Sequence, residues 1–594
     1  MARASLFFGL IVVALLILWL RLWYLQIAQG EQLELKAQSA RTRFVRIAPP
    51  RGAIVDRNGL PLATNKPLVF VVSVVPDEAK RNPDHLHLIA NLLNLDFAKL
   101  KADVESPHVN PFAPVIIASG LSYQQAVPVF EAQHRFPELR VWMDSPRSYP
   151  LGSSAAHLIG YVGQVSPDEL KRYAALSEDA DSDGNLPIAR YDGGDLVGKI
   201  GVEHRYELRL HGQPGGERVE VTPKGRHARV LETIESERGE RLALTIDANL
   251  QQLAYQLLVD KKVRGALVAI DPRNGQVIAL TSRPAYNPNL FVGRIPADLW
   301  NSLTNDKSAP LQHRAIQSAY APGSIYKMVT AMSVLETGLM SPRNTVTCRG
   351  GTQLGTRFFK CHATHGTVNM LGAIAHSCDS YFYEAARRAG PNRLAEYSRM
   401  FGLGVPTGID LPHEGKGLVP DEEWKRKRYK QAWYGGDTFN YGIGQGFLQT
   451  TPIQMAQMTC VVANRGFAYA PRLLLEAEPQ IAIKPFGQSA HWELVHRGMV
   501  SVVSSGTARS VTLPGIQVAG KTGSAEFRKG GKTHSWFVAY APADKPEIAL
   551  VVMAEEAGHG GTIAAPIAKA WLEAYFKDKR KAAGARTATP ANAL

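Results

Sequence analysis

An uninterrupted apolar run near the N-terminus constrains the fold more than any other feature. Leu6 to Leu20 has the sequence LFFGLIVVALLILWL, and Arg21 is the only charged residue between Leu6 and Ile27. These 22 residues would form a helix of roughly 33 Å, which is long enough to cross a hydrocarbon core of about 30 Å. We therefore predict a membrane-spanning helix at this end of the chain.

The residues around this run favour an uncleaved anchor over a cleaved signal peptide. Trp19, Trp23 and Tyr24 stand where an aromatic belt would meet the membrane surface. A signal peptide would have a shorter apolar region and a small-residue cleavage site, which is not evident before Gln29-Gly30. We predict that residues 1–27 are a cytoplasmic tail and transmembrane anchor and that the remaining residues lie outside the membrane.

The composition is that of a globular protein with an excess of basic residues. Of the 594 residues, 45% are hydrophobic and 20% are charged, which excludes a disordered chain. The formal net charge of +14 suits anionic lipid or a pyrophosphate-bearing substrate. Nucleic acid would also suit this charge, but we identified neither a finger motif nor a basic helix interleaved with aromatics. We expect a membrane partner and no nucleic acid.

Residues 28–240 are predicted to form a non-catalytic domain. Residues 53–60 fit a strand that enters a tight turn at Asn58-Gly59, and Leu68 to Val75 is a second strand expected to pair with it. His157 is interpreted as structural rather than as a base or ligand. Residues 179–195 are acidic and glycine-rich, but Leu186 stands where a calcium-binding loop needs glycine. We therefore predict a mobile loop there.

Residues 241–576 are predicted to form a second domain, followed by a disordered tail at 577–594. Mainly helical structure is expected from Ser324 to about Cys460. The expected strands are 242–247, 265–270, 276–281, 519–527, 535–541 and 547–554, and the expected flanking helices are 250–259 and 563–576. Strands at both ends of the domain with helices between them predict a mixed α/β sandwich.

Ser324 and Lys327 form the first candidate catalytic pair. Pro322-Gly323 ends the preceding segment, and residues 325–335 carry apolar side chains at helical spacing, which places Ser324 at or near a helix N-terminus. Lys327 then lies one turn on, on the same face, close enough to take the hydroxyl proton. Serine is also a preferred N-cap residue, so the pair alone has a purely structural alternative.

Two later motifs favour the catalytic interpretation. Ser377-Cys378-Asp379 and Lys521-Thr522-Gly523-Ser524 follow at domain-sized intervals. In this order the three motifs resemble the active site of penicillin-binding proteins and serine β-lactamases. The resemblance implies that Ser324 is the nucleophile and Lys327 its base. Lys521 would be the cation that lowers the pKa of Lys327 and holds the carboxylate of the substrate.

The same resemblance assigns roles to the other motif residues. Thr522 would add a hydroxyl donor to the substrate carboxylate, and Gly523 would let the strand approach the substrate closely. The backbone N–H groups of Ser524 and of the nucleophile would form an oxyanion hole. Ser377 would relay a proton to the leaving amine. Asp379 stands where the wider family has Asn and could alter the charge near the base. Asp at this position, however, resembles the branch called penicillin-binding protein 2.

Four further segments resemble class B penicillin-binding proteins: residues 50–59, 156–163, 198–203 and 442–446. The family's fold is a multidomain α+β architecture. The resemblance thus implies a transmembrane helix, an elongated mixed α/β pedestal and a transpeptidase domain with helices on both sides of an antiparallel sheet.

The resemblance also implies a function. The chain would be a serine-type D-Ala-D-Ala transpeptidase that cross-links peptidoglycan stem peptides during cell elongation and rod-shape maintenance, with β-lactams as inhibitors. It would be a single-pass protein of the bacterial inner membrane with a periplasmic catalytic domain. Its implied partners are a RodA-type glycan polymerase and elongation-complex proteins. The alternatives are the division-specific penicillin-binding protein 3, and a β-lactam sensor or inactive scaffold.

Three of the four cysteines cluster around the second motif. Cys348, Cys361 and Cys378 fall within 31 residues, with His365 among them, in the pattern Cys-x12-Cys-x3-His-x12-Cys. The short middle gap suits zinc, and we predict a structural zinc site with these four ligands that positions the second motif. His362 is an alternative ligand. A Cys348–Cys361 disulfide and unliganded thiols are the competing interpretations. No cofactor is expected to be required for catalysis.

Overall fold

The computed structural model describes residues 2–29, 42–67, 69–105, 115–133, 135–136, 138–177, 191, 195–221, 227–292, 295–527 and 531–587. Most of the predicted mobile loop at 179–195 and the final seven residues of the predicted disordered tail lie outside this part of the chain.

The helices are bounded as follows: α1 Ala2–Trp23, α2 Pro76–Arg81, α3 Pro83–Leu92, α4 Phe97–Val104, α5 Tyr123–Ala132, α6 Ala156–Ile159, α7 Pro167–Ser177, α8 Gly201–Arg205, α9 Glu207–Leu210, α10 Ala248–Asp260, α11 Ala297–Asn305, α12 Lys327–Glu336, α13 Met370–Ala375, α14 Asp379–Met400, α15 Glu422–Tyr429, α16 Gly435–Gly442, α17 Pro452–Ala463, α18 Ser489–Ser504 and α19 Ala564–Thr587.

The strands are bounded as follows: β1 Thr42–Ile47, β2 Ile54–Val55, β3 Pro61–Asn65, β4 Val69–Val74, β5 Val115–Leu121, β6 Leu139–Asp144, β7 Arg147–Ser148, β8 Val162–Gln164, β9 Leu196–Gly198, β10 Gly215–Val221, β11 His227–Ile234, β12 Leu242–Ala243, β13 Gly265–Ile270, β14 Val277–Arg283, β15 Val346–Cys348, β16 Gly351–Leu354, β17 Arg357–Lys360, β18 Gly366–Val368, β19 Ala468–Tyr469, β20 Ile481–Ile483, β21 Ala519–Ala525, β22 His534–Ala541 and β23 Ile548–Ala554.

The apolar run forms helix α1, and a π-helical turn, Tyr24–Ala28, follows it. Phe7–Ile27 has a mean hydropathy of 2.3 and is exposed along its length, and among the described residues it is the one helix that is long and apolar enough to cross a membrane. This segment is therefore a candidate membrane span, in agreement with the predicted anchor.

The chain divides into two compact units. The first comprises residues 1–52, 165–195 and 211–240, and it contains α1, α7 and an antiparallel sheet in the order β1-β10-β11. The second comprises residues 53–164, 196–210 and 241–594 and holds all three candidate motifs.

Within the second unit, strand β2 turns back on β3 instead of pairing with the strand predicted at Leu68–Val75. Asp56 closes the intervening turn, because its carboxylate accepts hydrogen bonds from the backbone N–H groups of Asn58 and Leu60, both at 2.8 Å. Strand β4 pairs with β5 and β6 in a separate sheet. The predicted pairing is therefore wrong: the tight turn favours the strand that follows it directly.

The central sheet of the second unit is antiparallel and has the order β14-β13-β23-β22-β21. Every residue of β13, β22 and β23 is buried, as expected for a sheet covered on both faces. Helices α10 and α19 pack against each other and against the sheet, and α17 and α18 pack on it as well. This arrangement is the predicted α/β sandwich.

Three expectations for this domain need correction. Only Leu242–Ala243 of the strand predicted at 242–247 is a strand. The predicted helical region contains four short strands, β15 to β18, between Val346 and Val368. Helix α19 continues to Thr587, where a disordered tail was expected from residue 577, because alanine, lysine and arginine are strong helix formers.

Candidate active site

The candidate nucleophile Ser324 lies in a 3₁₀ turn, Gly323–Tyr326, that leads into α12. Ser324 is half-buried, whereas all residues of α12 except Glu336 are buried. The apolar face of the helix thus fixes the turn against the core. Ser324 lies at the start of the helix, and Lys327 begins the next turn, as the sequence predicts.

Lys327 is fully buried and its ammonium group meets three acceptors. Its Nζ donates to the Ser377 carbonyl oxygen at 2.7 Å, to Ser377 Oγ at 3.2 Å and to Asp379 Oδ1 at 2.7 Å. An ammonium group has three N–H donors, so these contacts account for all of them. The structure therefore brings the first and second motifs together.

Ser377 sits in a strained turn between α13 and α14. Its φ is +56°, a left-handed conformation that is uncommon for residues other than glycine and that often marks functional sites. Its Oγ also accepts a hydrogen bond from Lys521 Nζ at 2.8 Å. Ser377 consequently bridges the two lysines, an arrangement that suits the proton relay that the resemblance implies.

Lys521 lies in β21 and is fully buried. Burial lowers its pKa well below the usual lysine value, and the positive charge of Lys327 lowers it further, while Asp379 acts in the opposite direction. These effects favour a neutral amine at Lys521. Burial therefore acts against the cationic role expected for Lys521, and a bound substrate carboxylate would favour its charged form.

Asp379 supplies the negative charge of the site. Burial acts to raise its pKa, but the charge of Lys327 and the hydrogen bonds from His362 and Lys327 outweigh burial and hold the pKa well below the usual range. The carboxylate is therefore ionised and paired with Lys327. An asparagine at this position would lack that charge.

Three glycines let the nucleophile turn meet β21. Gly323 has a φ of +60°, and a Cβ atom there would lie 2.6 Å from the Ser524 carbonyl oxygen. A Cβ at Gly523 would lie 2.9 Å from the Pro322 carbonyl oxygen, and one at Gly444 would overlap the Gly323 carbonyl. Gly523 therefore allows β21 to contact the nucleophile turn. The close approach of substrate at Gly523 stays a prediction.

Ser524 directs its backbone toward the nucleophile. Its carbonyl oxygen accepts a hydrogen bond from Gln445 Nε2 at 3.2 Å, on the side away from β22. In an antiparallel strand the N–H and C=O groups of one residue point to the same side. The Ser524 N–H group therefore points to the side of the Ser324 turn, where an oxyanion donor is needed.

Two contacts of the site were not predicted from the sequence. Gln445 belongs to the glycine-rich segment 442–446, which was noted for its family resemblance but was given no role. Thr507 follows α18, and its hydroxyl lies 2.8 Å from the hydroxyl of Thr522. No motif marks Thr507, so only the fold could have revealed it.

The four predicted zinc ligands converge beside the Ser377 turn. Their metal-binding atoms all lie within 4.8 Å of one another, and His365 Nδ1 is 3.6 Å from Cys348 Sγ and 3.5 Å from Cys361 Sγ. Tetrahedral zinc with usual bond lengths separates a sulfur and a nitrogen ligand by roughly 3.5–3.6 Å. The arrangement of Cys348, Cys361, His365 and Cys378 therefore fits zinc.

The surroundings of the sulfur atoms agree with this fit. The Asp379 N–H group donates to Cys361 Sγ and the Ser380 hydroxyl to Cys348 Sγ, both at 3.3 Å. Metal-bound thiolates commonly accept such hydrogen bonds. All four cysteines of the chain are free thiols. His362 forms a second group with Cys361 and Asp379, but the Asp379 carboxylate already pairs with Lys327.

The geometry defines a class of enzyme. A serine at a helix start, two buried lysines linked through a second serine, and an N–H donor on an edge strand are the parts of a serine acyltransferase assisted by lysine. Two family models match the chain: the penicillin-binding protein transpeptidase domain at residues 265–573 and the penicillin-binding protein dimerisation domain at residues 46–244.

Known proteins with similar sequences and structures narrow this class. The peptidoglycan D,D-transpeptidase MrdA of Acinetobacter baumannii is 36% identical over 96% of this chain and 88% of its own length. The penicillin-binding protein PBP2 of Helicobacter pylori, solved in complex with MreC, has a TM-score of 0.77 and 28% identity over 90% of this chain and 98% of its own.

A solved peptidoglycan synthase complex contains a chain with a TM-score of 0.70 and 29% identity, covering 96% of this chain and 98% of that one. The chain belongs to the penicillin-binding proteins, as a peptidoglycan D,D-transpeptidase of the elongation-specific PBP2 branch.

Proposed function

We propose that Ser324 carries the acyl group in this transpeptidase. Lys327 first passes one proton through Ser377 to the neutral amine of Lys521. Ser324 Oγ then attacks the carbonyl between the two terminal D-alanines of a donor stem, and the free amine of Lys327 takes its proton. The C–N bond breaks, and Ser377 passes a proton to the departing D-alanine amine. An amine of a second stem then attacks the ester, so that a new amide forms and Ser324 regains its proton.

The bridge between the two buried lysines through Ser377 is the observation that carries this proposal. Lys521 and Thr522 bind the terminal carboxylate of the donor, and Gly523 keeps the strand close to the nucleophile turn. The N–H groups of Ser324 and Ser524 stabilise the oxyanion, and the loss of one such donor typically costs about 3 kcal/mol of barrier.

Penicillin labelling tests the assignment of the nucleophile. Benzylpenicillin should add the mass of one adduct to the full chain, on a peptide that contains Ser324, and Ser324→Ala should abolish the adduct. Lys327→Ala should also prevent acylation, because the hydroxyl loses its base. An unmodified wild-type protein would instead support the inactive-scaffold hypothesis.

The cysteine cluster is proposed to bind one structural zinc ion through Cys348, Cys361, His365 and Cys378. The support is the spacing of the sulfur and nitrogen atoms and the burial of the three cysteines. When bound, the ion would tie the β15–β18 segment to the turn that holds Ser377. It takes no part in the acyl-transfer steps.

Elemental analysis tests the zinc site. Protein purified without chelator should contain about one zinc per chain, and Cys361→Ser should lose it. Cys460→Ser is the matched control, since Cys460 is buried in α17, apart from the four ligands, and its loss should leave the zinc in place. A metal-free protein that is two protons light would establish the disulfide alternative.

The catalytic domain is proposed to lie in the periplasm and to work with a RodA-type glycan polymerase and other elongation proteins. The candidate membrane span supports the location. The relatives solved with MreC and within a peptidoglycan synthase complex support protein partners. Co-purification of the detergent-solubilised chain with its polymerase tests the partnership, and failure to co-purify after cross-linking in cells would refute it.

A further inference from the structure

A basic and aromatic surface lies beside the active site, and the acyl-transfer steps leave it unused. Residues 424–434 have the sequence WKRKRYKQAWY, with five basic and no acidic side chains. We call this segment, together with Phe447, the basic-aromatic patch. It starts in α15 and ends at the N-terminus of α16. The segment is a basic helix interleaved with aromatics, so the expectation that the chain has no such helix is wrong.

Lys425 lies beneath the patch and contacts both its aromatic rings and an acidic residue of α16. It is buried, its Nζ pairs with the carboxylate of Asp437, and it lies 4.3 Å from the ring centroid of Tyr434 and 5.8 Å from that of Phe447. Such cation–π contacts strengthen when the cation is desolvated. The indole N–H group of Trp433 also donates to the Thr438 hydroxyl at 2.8 Å. The surface is therefore preorganised.

The outer cations and rings of the patch are exposed. Tyr429 and Tyr434 are 48% and 59% exposed, and Arg426, Arg428 and Lys430 are exposed as well. Lys427 pairs with Glu423 at 2.7 Å, whereas no ion pair engages the other three cations within the described part of the chain. Three positive charges thus remain for a ligand.

The patch is continuous with the catalytic strand. Phe447 lies 5.3 Å, between ring centroids, from both Trp424 and Tyr429, and it follows Gln445 by two residues. Gln445 donates to the carbonyl oxygen of Ser524 in β21. A ligand that extends away from the active site on this side therefore meets the patch, and the acyl-donor polymer is the molecule that must extend from it.

We propose that the basic-aromatic patch binds the uncross-linked peptidoglycan strand whose stem peptide enters the active site. Tyr429 and Tyr434 present flat apolar faces to the sugar rings. Arg426, Arg428 and Lys430 pair with carboxylates along the strand and its stems, for which the planar guanidinium group is well suited. The chemistry of alternating sugars and acidic peptides matches the alternation of rings and cations.

Binding by an enzyme with a blocked active site tests this proposal. The full chain in detergent is first acylated with benzylpenicillin, and its binding to fluorescent uncross-linked glycan strands with pentapeptide stems is measured by anisotropy. The variant Arg426→Ala/Arg428→Ala/Lys430→Ala should bind about tenfold more weakly, the order expected for three exposed ion pairs. Tyr429→Ala/Tyr434→Ala should also weaken binding.

The matched control removes three positive charges elsewhere. Lys261, Lys307 and Lys484 are exposed lysines outside the patch, and their combined replacement by alanine should leave strand affinity within about twofold of the wild type. Equal weakening by both triple variants would overturn the proposal in favour of general charge attraction. Unchanged strand binding by the patch variant would also overturn the proposal. If that variant, reconstituted through its membrane span, also loses a preference for phosphatidylglycerol over phosphatidylcholine vesicles, the patch binds a lipid surface instead. An unchanged thermal unfolding midpoint shows that each variant is folded.

Discussion

At the scale of single residues, the site depends on two lysines that share one serine. Lys327 has a carboxylate partner in Asp379, whereas the Nζ of Lys521 contacts Ser377 Oγ and the Thr522 carbonyl oxygen. Burial therefore destabilises the charged form of Lys521, which has no carboxylate partner of the kind that Lys327 has. Catalytic sites often contain such strained ionisable groups, at a cost in stability.

Lys521→Met should consequently stabilise the fold while it abolishes penicillin acylation. Because the folded chain binds fewer protons than the unfolded chain between the lowered pKa of Lys521 and its usual value of 10.5, wild-type stability rises with pH in that window. The variant has no titrating group at this position. Its free energy of unfolding should therefore exceed that of the wild type by the largest amount near pH 7 and by less at pH 9.5. Thermal unfolding of both proteins at the two pH values measures it. Parallel pH profiles would contradict a lowered pKa.

At the scale of elements, the start of α12, strand β21 and the glycine segment after α16 interlock through backbone atoms. The Gly323 N–H group donates to the Gly444 carbonyl oxygen at 2.8 Å, and both glycines have positive φ. The position of Ser324 thus depends on residues in distant parts of the sequence.

Gly444→Ala should lower the rate of penicillin acylation by about 100-fold, since its Cβ would push Gly323 and so displace the nucleophile by a fraction of an ångström or more. Gly338→Ala is the control, at the other end of the same helix. Gly338 also has positive φ, +69°, but a Cβ there has no neighbour within 4 Å. It should cost about 1 kcal/mol of stability with little change in rate. Similar rates for both variants would show that the interlock does not position Ser324.

Much at this scale could be predicted from local sequence. The strands Gly265–Ile270 and Ile548–Ala554 are continuous apolar runs, and the catalytic motifs are contiguous words that the family resemblance identifies. Which strands pair with each other is harder to predict from local sequence. The segment of β4 has strong strand propensity, but its pairing with β5 and β6 depends on tertiary packing. The half-exposed strands β15–β18 have three or four residues each, too few to show a period.

In the candidate active site too, some features could be predicted from local sequence and others depend on the tertiary fold. The convergence of four zinc-type ligands was predictable from cysteine and histidine spacing, because each residue type has few other uses in such a cluster. The contacts of Gln445 with Ser524 and of Thr507 with Thr522 were not. Glutamine and threonine serve many roles, and only the folded chain brings these pairs together.

At the scale of the whole molecule, a candidate membrane span and an acyl-transfer site occur in one chain whose relatives are elongation transpeptidases. A cross-linking enzyme held at the membrane acts on wall material where that material is made. Loss of its activity should therefore change the shape of the cell before it stops division.

Depletion of this protein in a rod-shaped host that depends on it should produce round cells, and wild-type protein supplied from a plasmid should restore rods. Ser324→Ala should fail to restore them although it is folded and anchored, because elongation needs the cross-links and not only the presence of the protein. Cell width and length measured by microscopy, with immunoblots to match protein levels, distinguish the outcomes. Long undivided filaments would assign the chain to division. Restoration of rods by Ser324→Ala would make the protein a scaffold, because its shape function would then be independent of the acyl-enzyme.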